Sequence, residues 1–174
     1  MFRDFAIVAT AFGAEMDALK RAGWVGALSV VLGVVLSFVT GAVVAIGFGF
    51  TDAVSISTIG AGAATYIVGP VTGTALGADS AVIALSVAAG LVKAILVMVA
   101  TPLVAKRIGL NNPQSALIYG GLMGTTSGVA AGLAATDPKL VPYGAMTATF
   151  YTGVGCLLAP SVLYLSVIPL QGLL

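Results

Sequence analysis

Hydrophobic positions run along this chain in long blocks, and the charges, with one exception, fall in the gaps between blocks. A membrane-crossing helix needs about 20 consecutive apolar residues. Residues 24–50, 80–105 and about 141–168 each meet that length and predict spanning helices, with Trp24 placed as an interface anchor. Two further blocks, 53–78 and 113–136, are uncharged but rich in Gly, Ser and Thr. The first is interrupted by Gly69-Pro70, and the second carries the hydroxyl run Thr125-Thr126-Ser127. Both predict helices that break. Pro160 predicts a kink in the second half of the last span.

The first residues behave differently. Residues 5–14 are apolar but too short to cross alone, and residues 15–21 read as a short amphipathic helix lying at the interface. Residues 1–21 are thus expected to form a half-helix and an interfacial helix, within one integral membrane domain covering 1–174. Either the chain begins with that half-helix or upstream sequence is missing.

Composition agrees. Hydrophobic residues make up 59%, charged residues 7%, and mean hydropathy is +1.13. A soluble domain carries roughly 25% charged residues, so the expected fold class is an all-α polytopic membrane protein. Unbroken apolar runs, rather than alternation, argue against a β-barrel. The net charge of +1 gives no field for nucleic acid. Histidine is absent and Cys156 is single, which removes imidazole chemistry, Cys-cluster metal sites and an intrachain disulfide. No acid–base pair suited to catalysis is legible, so an enzyme is not expected.

The charges also orient the chain. Lys20 with Arg21 and Lys106 with Arg107 mark cytoplasmic loops, whereas the turns at Asp52 and Asp79 hold no Lys or Arg. An even number of crossings must separate the two basic loops, yet three hydrophobic blocks lie there. The expectation is that 53–78 is re-entrant from outside. By the same rule Asp137 and Lys139 return to the cytoplasm, making 113–136 re-entrant from inside and leaving the C-terminus outside. Two broken segments entering from opposite faces constitute inverted topology, the arrangement by which many secondary transporters build a site from discontinuous helices.

Candidate chemistry lies in those segments and in one charge. In the first, Ser57, Thr58, Thr65, Thr72 and Thr74 offer hydroxyls, and Gly60 and Gly62 permit irregular or closely approached backbone. In the second, Gly124, Thr125, Thr126 and Ser127 form the expected tip. Gly69, Gly73 and Gly77, spaced by four, fit helix packing equally well, whereas in the second segment the hydroxyl run beside the Gly ridge favours a binding tip over packing alone. Lys93 is the one charge within a span, 14 residues from Asp79 and 13 from Lys106, about 20 Å of helix from either. Such a charge faces a partner, a cavity or a substrate, or snorkels along a tilted helix. No carboxylate lies at similar depth, so an anionic substrate is a candidate partner. The expected substrate-binding set is Thr58, Thr65, Thr72, Thr74, Lys93, Thr125, Thr126 and Ser127. The expected sodium-binding set is Ser57, Gly60, Gly62 and Gly124.

The runs RDFAIVATAF, TIGAGAATYIVGPVTGTALGA, LVKAILVMVATPLVAKRIGL, GGLMGTTSGVAAGLAATDPKLVPYGA and TATFYTGVGCLLAPSVLYL resemble the MadM subunit family of bacterial malonate:sodium symporters. The likeness covers essentially the whole chain, although family members carry additional N-terminal hydrophobic sequence. It implies sodium-coupled import of malonate across the bacterial inner membrane, with Na+ as coupling ion, a MadL-type membrane subunit as partner, and substrate and Na+ held between two broken-helix tips. Self-association is left open. A more distant likeness links the paired Gly-rich segments to glutamate/citrate sodium symporters and to LrgB-like proteins. Two rival readings therefore stand beside the carrier: an LrgB- or holin-like pore, and a non-transporting membrane scaffold.

Overall fold

The computed structural model describes residues 16–171. The expected apolar half-helix at residues 5–14 lies outside them. Every regular element among the described residues is helical. Helix α1 covers Met16–Gly47, with Gly23 at φ 64° breaking its regular course. It is followed by α2 (Ala53–Ala64), α3 (Val68–Leu76) and α4 (Ser80–Val104). Then come α5 (Pro113–Met123), α6 (Thr126–Ala134), a 3-10 turn (Pro138–Leu140) and α7 (Val141–Leu158). A π-helical turn (Ala159–Leu163) joins α7 to α8 (Tyr164–Gln171).

Three helical stretches are long and apolar enough to cross a membrane: Gly23–Gly47, Ser80–Val104 and Pro138–Pro169. These are the three blocks that the charge gaps delimit. Their outer faces carry Leu36, Val43, Leu91, Val92, Leu96 and Leu103, all exposed. A surface of that kind suits acyl chains, not water. Pro160 does not merely kink the last stretch. It sits in the π turn, where the absent proline N–H is absorbed by a wider helical ring.

The backbone divides into two compact units: Val34–Lys93 with Val154–Leu174, and Met1–Gly33 with Ala94–Gly153. Each contains one of the broken segments.

In the unit containing Val34–Lys93, α2 and α3 fold back on each other. Gly62 Cα lies 2.8 Å from where a Cβ on Gly69 would stand, and Thr58 Cγ2 lies 2.8 Å from the same position on Gly73. Pairs 62–69 and 58–73 are antiparallel, so this segment is a helical hairpin with its tip at residues 65–67. Asp52 and Asp79 cap the hairpin's entry and the helix after its exit, accepting from Ser55 N and Ala81 N at 2.7 Å each. Gly62 is required by packing: a Cβ there would stand 2.3 Å from Ser86 O on α4.

The other unit holds the second fold-back. A Cβ on Gly144 of α7 would touch both Ala116 O of α5, at 3.3 Å, and Leu133 Cδ1 of α6, at 2.4 Å. Thr101 of α4 likewise bonds Tyr119 Oη of α5 at 2.7 Å and stands against Gly132 of α6. Helices α5 and α6 therefore double back alongside α4 and α7, with a break at Gly124-Thr125. Asn112 starts α5 through a reciprocal capping box with Ser115.

Candidate functional site

The first break arises at Thr65, four residues before Gly69. Thr65 ends α2 in extended conformation (φ −152°, ψ 155°), and its Oγ1 accepts from Ile67 N at 3.2 Å and Val68 N at 3.1 Å. One threonine side chain thus caps the start of α3. Pro70 then falls in the first turn of α3, where a missing N–H has no helical acceptor to lose.

Lys93 reaches this tip. Its Nζ donates to Ala64 O and to Ser37 Oγ, each at 2.9 Å. Ala64 O is one of the carbonyls that a terminating helix leaves without an intrahelical partner, and an ammonium there also meets the negative end of the helix dipole. The lysine that sequence reasoning sets against an anionic substrate is engaged by the protein's own backbone.

The second break is built differently. Gly124 closes α5 in the left-handed region (φ 72°), its N–H donating to Gly120 O at 2.9 Å. A Cβ there would stand 2.3 Å from the ring of Tyr151. Tyr151 is fully buried and its Oη donates to Gly33 O at 3.1 Å. Thr125 follows in extended conformation as the N-cap of α6, but its side chain makes no capping bond. Among the described residues, the N-terminal amide groups of α6 therefore lack the side-chain acceptor that Thr65 supplies to α3.

Buried hydroxyls separate into two classes. Ser29, Thr58, Ser86, Thr101, Thr147 and Thr152 each donate to a backbone carbonyl, and Thr65 accepts from backbone amides. Ser57, Thr72 and Thr125 are equally buried, at 0%, 0% and 1% exposure, and their oxygens have no hydrogen-bond partner among the described residues. All three lie on the broken segments. A buried hydroxyl without a partner costs about 1–3 kcal/mol, so each of these oxygens calls for an occupant such as an ordered water or an ion.

Other expected site residues sort clearly. Thr58 is buried with its hydroxyl on Val54 O at 2.7 Å. Thr74 is exposed on the far side of α3 from Thr72, as two helical steps require. Thr126 is half-buried and Ser127 exposed on the first turn of α6. Gly60 is a contact glycine, its Cβ position 2.9 Å from Phe38 O. Ser37 and Tyr151 escape sequence reasoning, being single polar groups within apolar spans. An apolar groove of about 620 Å³ between α4 and α5, lined by Leu96, Val104, Ile108 and Leu122 among others, offers nothing to a small anion. Among the described residues no group of three or more His, Cys, Asp or Glu could hold a metal ion.

A family model described as the malonate/sodium symporter MadM subunit matches residues 1–170 of the chain. The chain belongs to the MadM family. Membership makes it a membrane subunit of a malonate/sodium symporter and implies a partner subunit, malonate as substrate and sodium as coupling ion. No curated protein and no solved structure matches it. Within MadM, then, the two broken segments are features of a transporter subunit.

Proposed function

We propose that this MadM chain is the substrate-handling subunit of a sodium-driven malonate importer of the bacterial inner membrane, working with a MadL-type partner. Its two hairpins are re-entrant, and their breaks supply the binding groups. The observation that carries this reading is the start of α6: an N-terminus with no side-chain cap, beside the buried and unpartnered hydroxyl of Thr125. Helix N-termini favour anions through exposed N–H groups and the positive dipole end. A malonate carboxylate takes the place of the missing cap, accepting from the Thr125 hydroxyl and from the amides of the first turn, which holds Thr126 and Ser127. Discontinuous transporter helices meet substrate carboxylates in this way.

Thr58 and Thr65 have a different role, since their oxygens already serve α2 and α3. Lys93 holds the first tip and places a positive charge at membrane depth, which lowers the cost of bringing a dianion there.

Radiolabelled malonate uptake into membrane vesicles tests the reading, with and without an inward sodium gradient and with the partner subunit present or absent. Saturable uptake that needs sodium and both subunits is expected. Flux that rises linearly with malonate and ignores sodium would replace the carrier with a pore.

A further inference from the structure

The sodium symport reading says nothing of where the ion binds, and the hairpin of α2 and α3 supplies a location. Thr58 faces Gly73 across the hairpin, with Thr58 Cγ2 2.8 Å from the Gly73 Cβ position. Ser57 and Thr72 each lie one residue before these contacts. A step of one residue turns a side chain through about 100°. Because the two helices are antiparallel, the two steps turn in opposite senses when viewed from one end. Both hydroxyls therefore project on the same side of the hairpin, offset along its axis by about 3 Å.

That side is covered by the end of the chain. Val68, one turn before Thr72 on the same face, lies 2.9 Å from the Cβ position of Gly155 on α7. Both α2 and α3 pack against the π turn Ala159–Leu163. Pro160 in that turn has no N–H, so a backbone carbonyl of the preceding turn loses its helical donor. Wide helical turns of this type recur at functional sites.

We infer that Na+ binds between Ser57 Oγ and Thr72 Oγ1, with the backbone carbonyl that Pro160 leaves without a donor, in the last turns of α7, contributing to its shell. This inference rests on the symport reading above and assigns the ion a site distinct from the carboxylate position at Thr125. The donor set is made of neutral oxygens. It suits a monovalent hard cation rather than a divalent ion, which calls for carboxylates, or a transition metal, which calls for imidazole or thiolate. It also departs from the expected sodium set: Gly60 is a packing residue and Gly124 a left-handed turn. Half-helix C-terminal ends are a common place for a coupling cation, but at the end of α2 the ammonium of Lys93 already occupies that position. Ser57 lies about 10 Å further down the helix.

The test uses the chain purified with its partner subunit. Equilibrium binding of ²²Na+ is measured without malonate, and the rise in unfolding temperature with Na+ is read against K+. Malonate affinity is measured separately at saturating Na+. Ser57→Ala and Thr72→Val are each expected to weaken Na+ binding at least tenfold, to lose most of the Na+-induced rise, and to keep malonate affinity within threefold. Thr72→Ser, which retains the hydroxyl, is expected to bind Na+ within threefold of wild type. Thr125→Val is expected to do the reverse, keeping Na+ while losing malonate. Should Thr72→Val unfold in K+, the comparison of Ser57→Ala with Thr72→Ser decides. Wild-type Na+ affinity in Ser57→Ala and Thr72→Val would overturn this site while leaving the symporter intact. A wild type that binds malonate but no Na+ would overturn the symport reading as well.

Discussion

Lys93 Nζ stands 2.9 Å from Ala64 O, joining the middle of a membrane-spanning helix to the carbonyl end of the short helix α2. Ser37 Oγ, at the same distance, accepts a second bond. At the carbonyl end of α2 the ammonium also meets the negative end of a helix dipole.

Lys93→Met should therefore loosen the first tip. Leaving Ala64 O and Ser37 without the ammonium costs about 1–3 kcal/mol, a fall of several degrees in apparent Tm for a chain of this size. Ser37→Ala, which removes one acceptor and keeps the bond to Ala64, should cost less. Thermal unfolding of both variants in detergent checks the order. An unchanged Tm for Lys93→Met would return the lysine to a snorkelling role.

Gly124 and Gly77 separate backbone strain from packing. Both are left-handed at φ 72°, but a Cβ on Gly124 would strike the ring of Tyr151, whereas one on Gly77 meets nothing within 4 Å. Gly77→Ala should cost about 1–2 kcal/mol for the left-handed backbone alone. Gly124→Ala should cost that and displace Tyr151 from Gly33 O, with a larger fall in Tm and loss of uptake. Equal stability of the two variants would contradict the close packing at the second break.

The re-entrant reading of the first hairpin is tested by labelling. Thr51 and Ala78 flank its two ends, and neither supplies a cap. In a Cys156→Ala background, Thr51→Cys and Ala78→Cys should both react with an impermeant thiol reagent from the periplasmic side. Reaction from opposite sides would show that 53–78 crosses the membrane.

Much of this organisation is legible in the sequence, for a definite reason. Charges are excluded from lipid at a cost of several kcal/mol each, so the gaps between Arg21, Asp52, Asp79 and Lys106 delimit the spans directly. Gly and Thr density marks the broken segments, because irregular backbone at that depth must be satisfied internally. The position of the first break is less legible. Gly69-Pro70 is the loudest local signal, yet the break lies at Thr65, whose side chain caps α3 and leaves Pro70 harmless in its first turn. Lys93 stands out as a charge, but its bond to a backbone carbonyl 29 residues away is one that no side-chain pattern reveals. Thr72 and Thr74 look alike in sequence and differ only by helical phase, one buried and one exposed.

If the start of α6 receives a malonate carboxylate through Thr125, as proposed, the Thr125 hydroxyl controls the KM for malonate. Sodium-driven malonate uptake is measured for wild type, Thr125→Ser and Thr125→Val, each checked for membrane insertion. A lost hydrogen bond to a charged group is worth about 1.5–3 kcal/mol. Thr125→Val should therefore raise KM by about ten- to hundredfold, while Thr125→Ser stays near wild type. Wild-type KM in Thr125→Val would contradict the account.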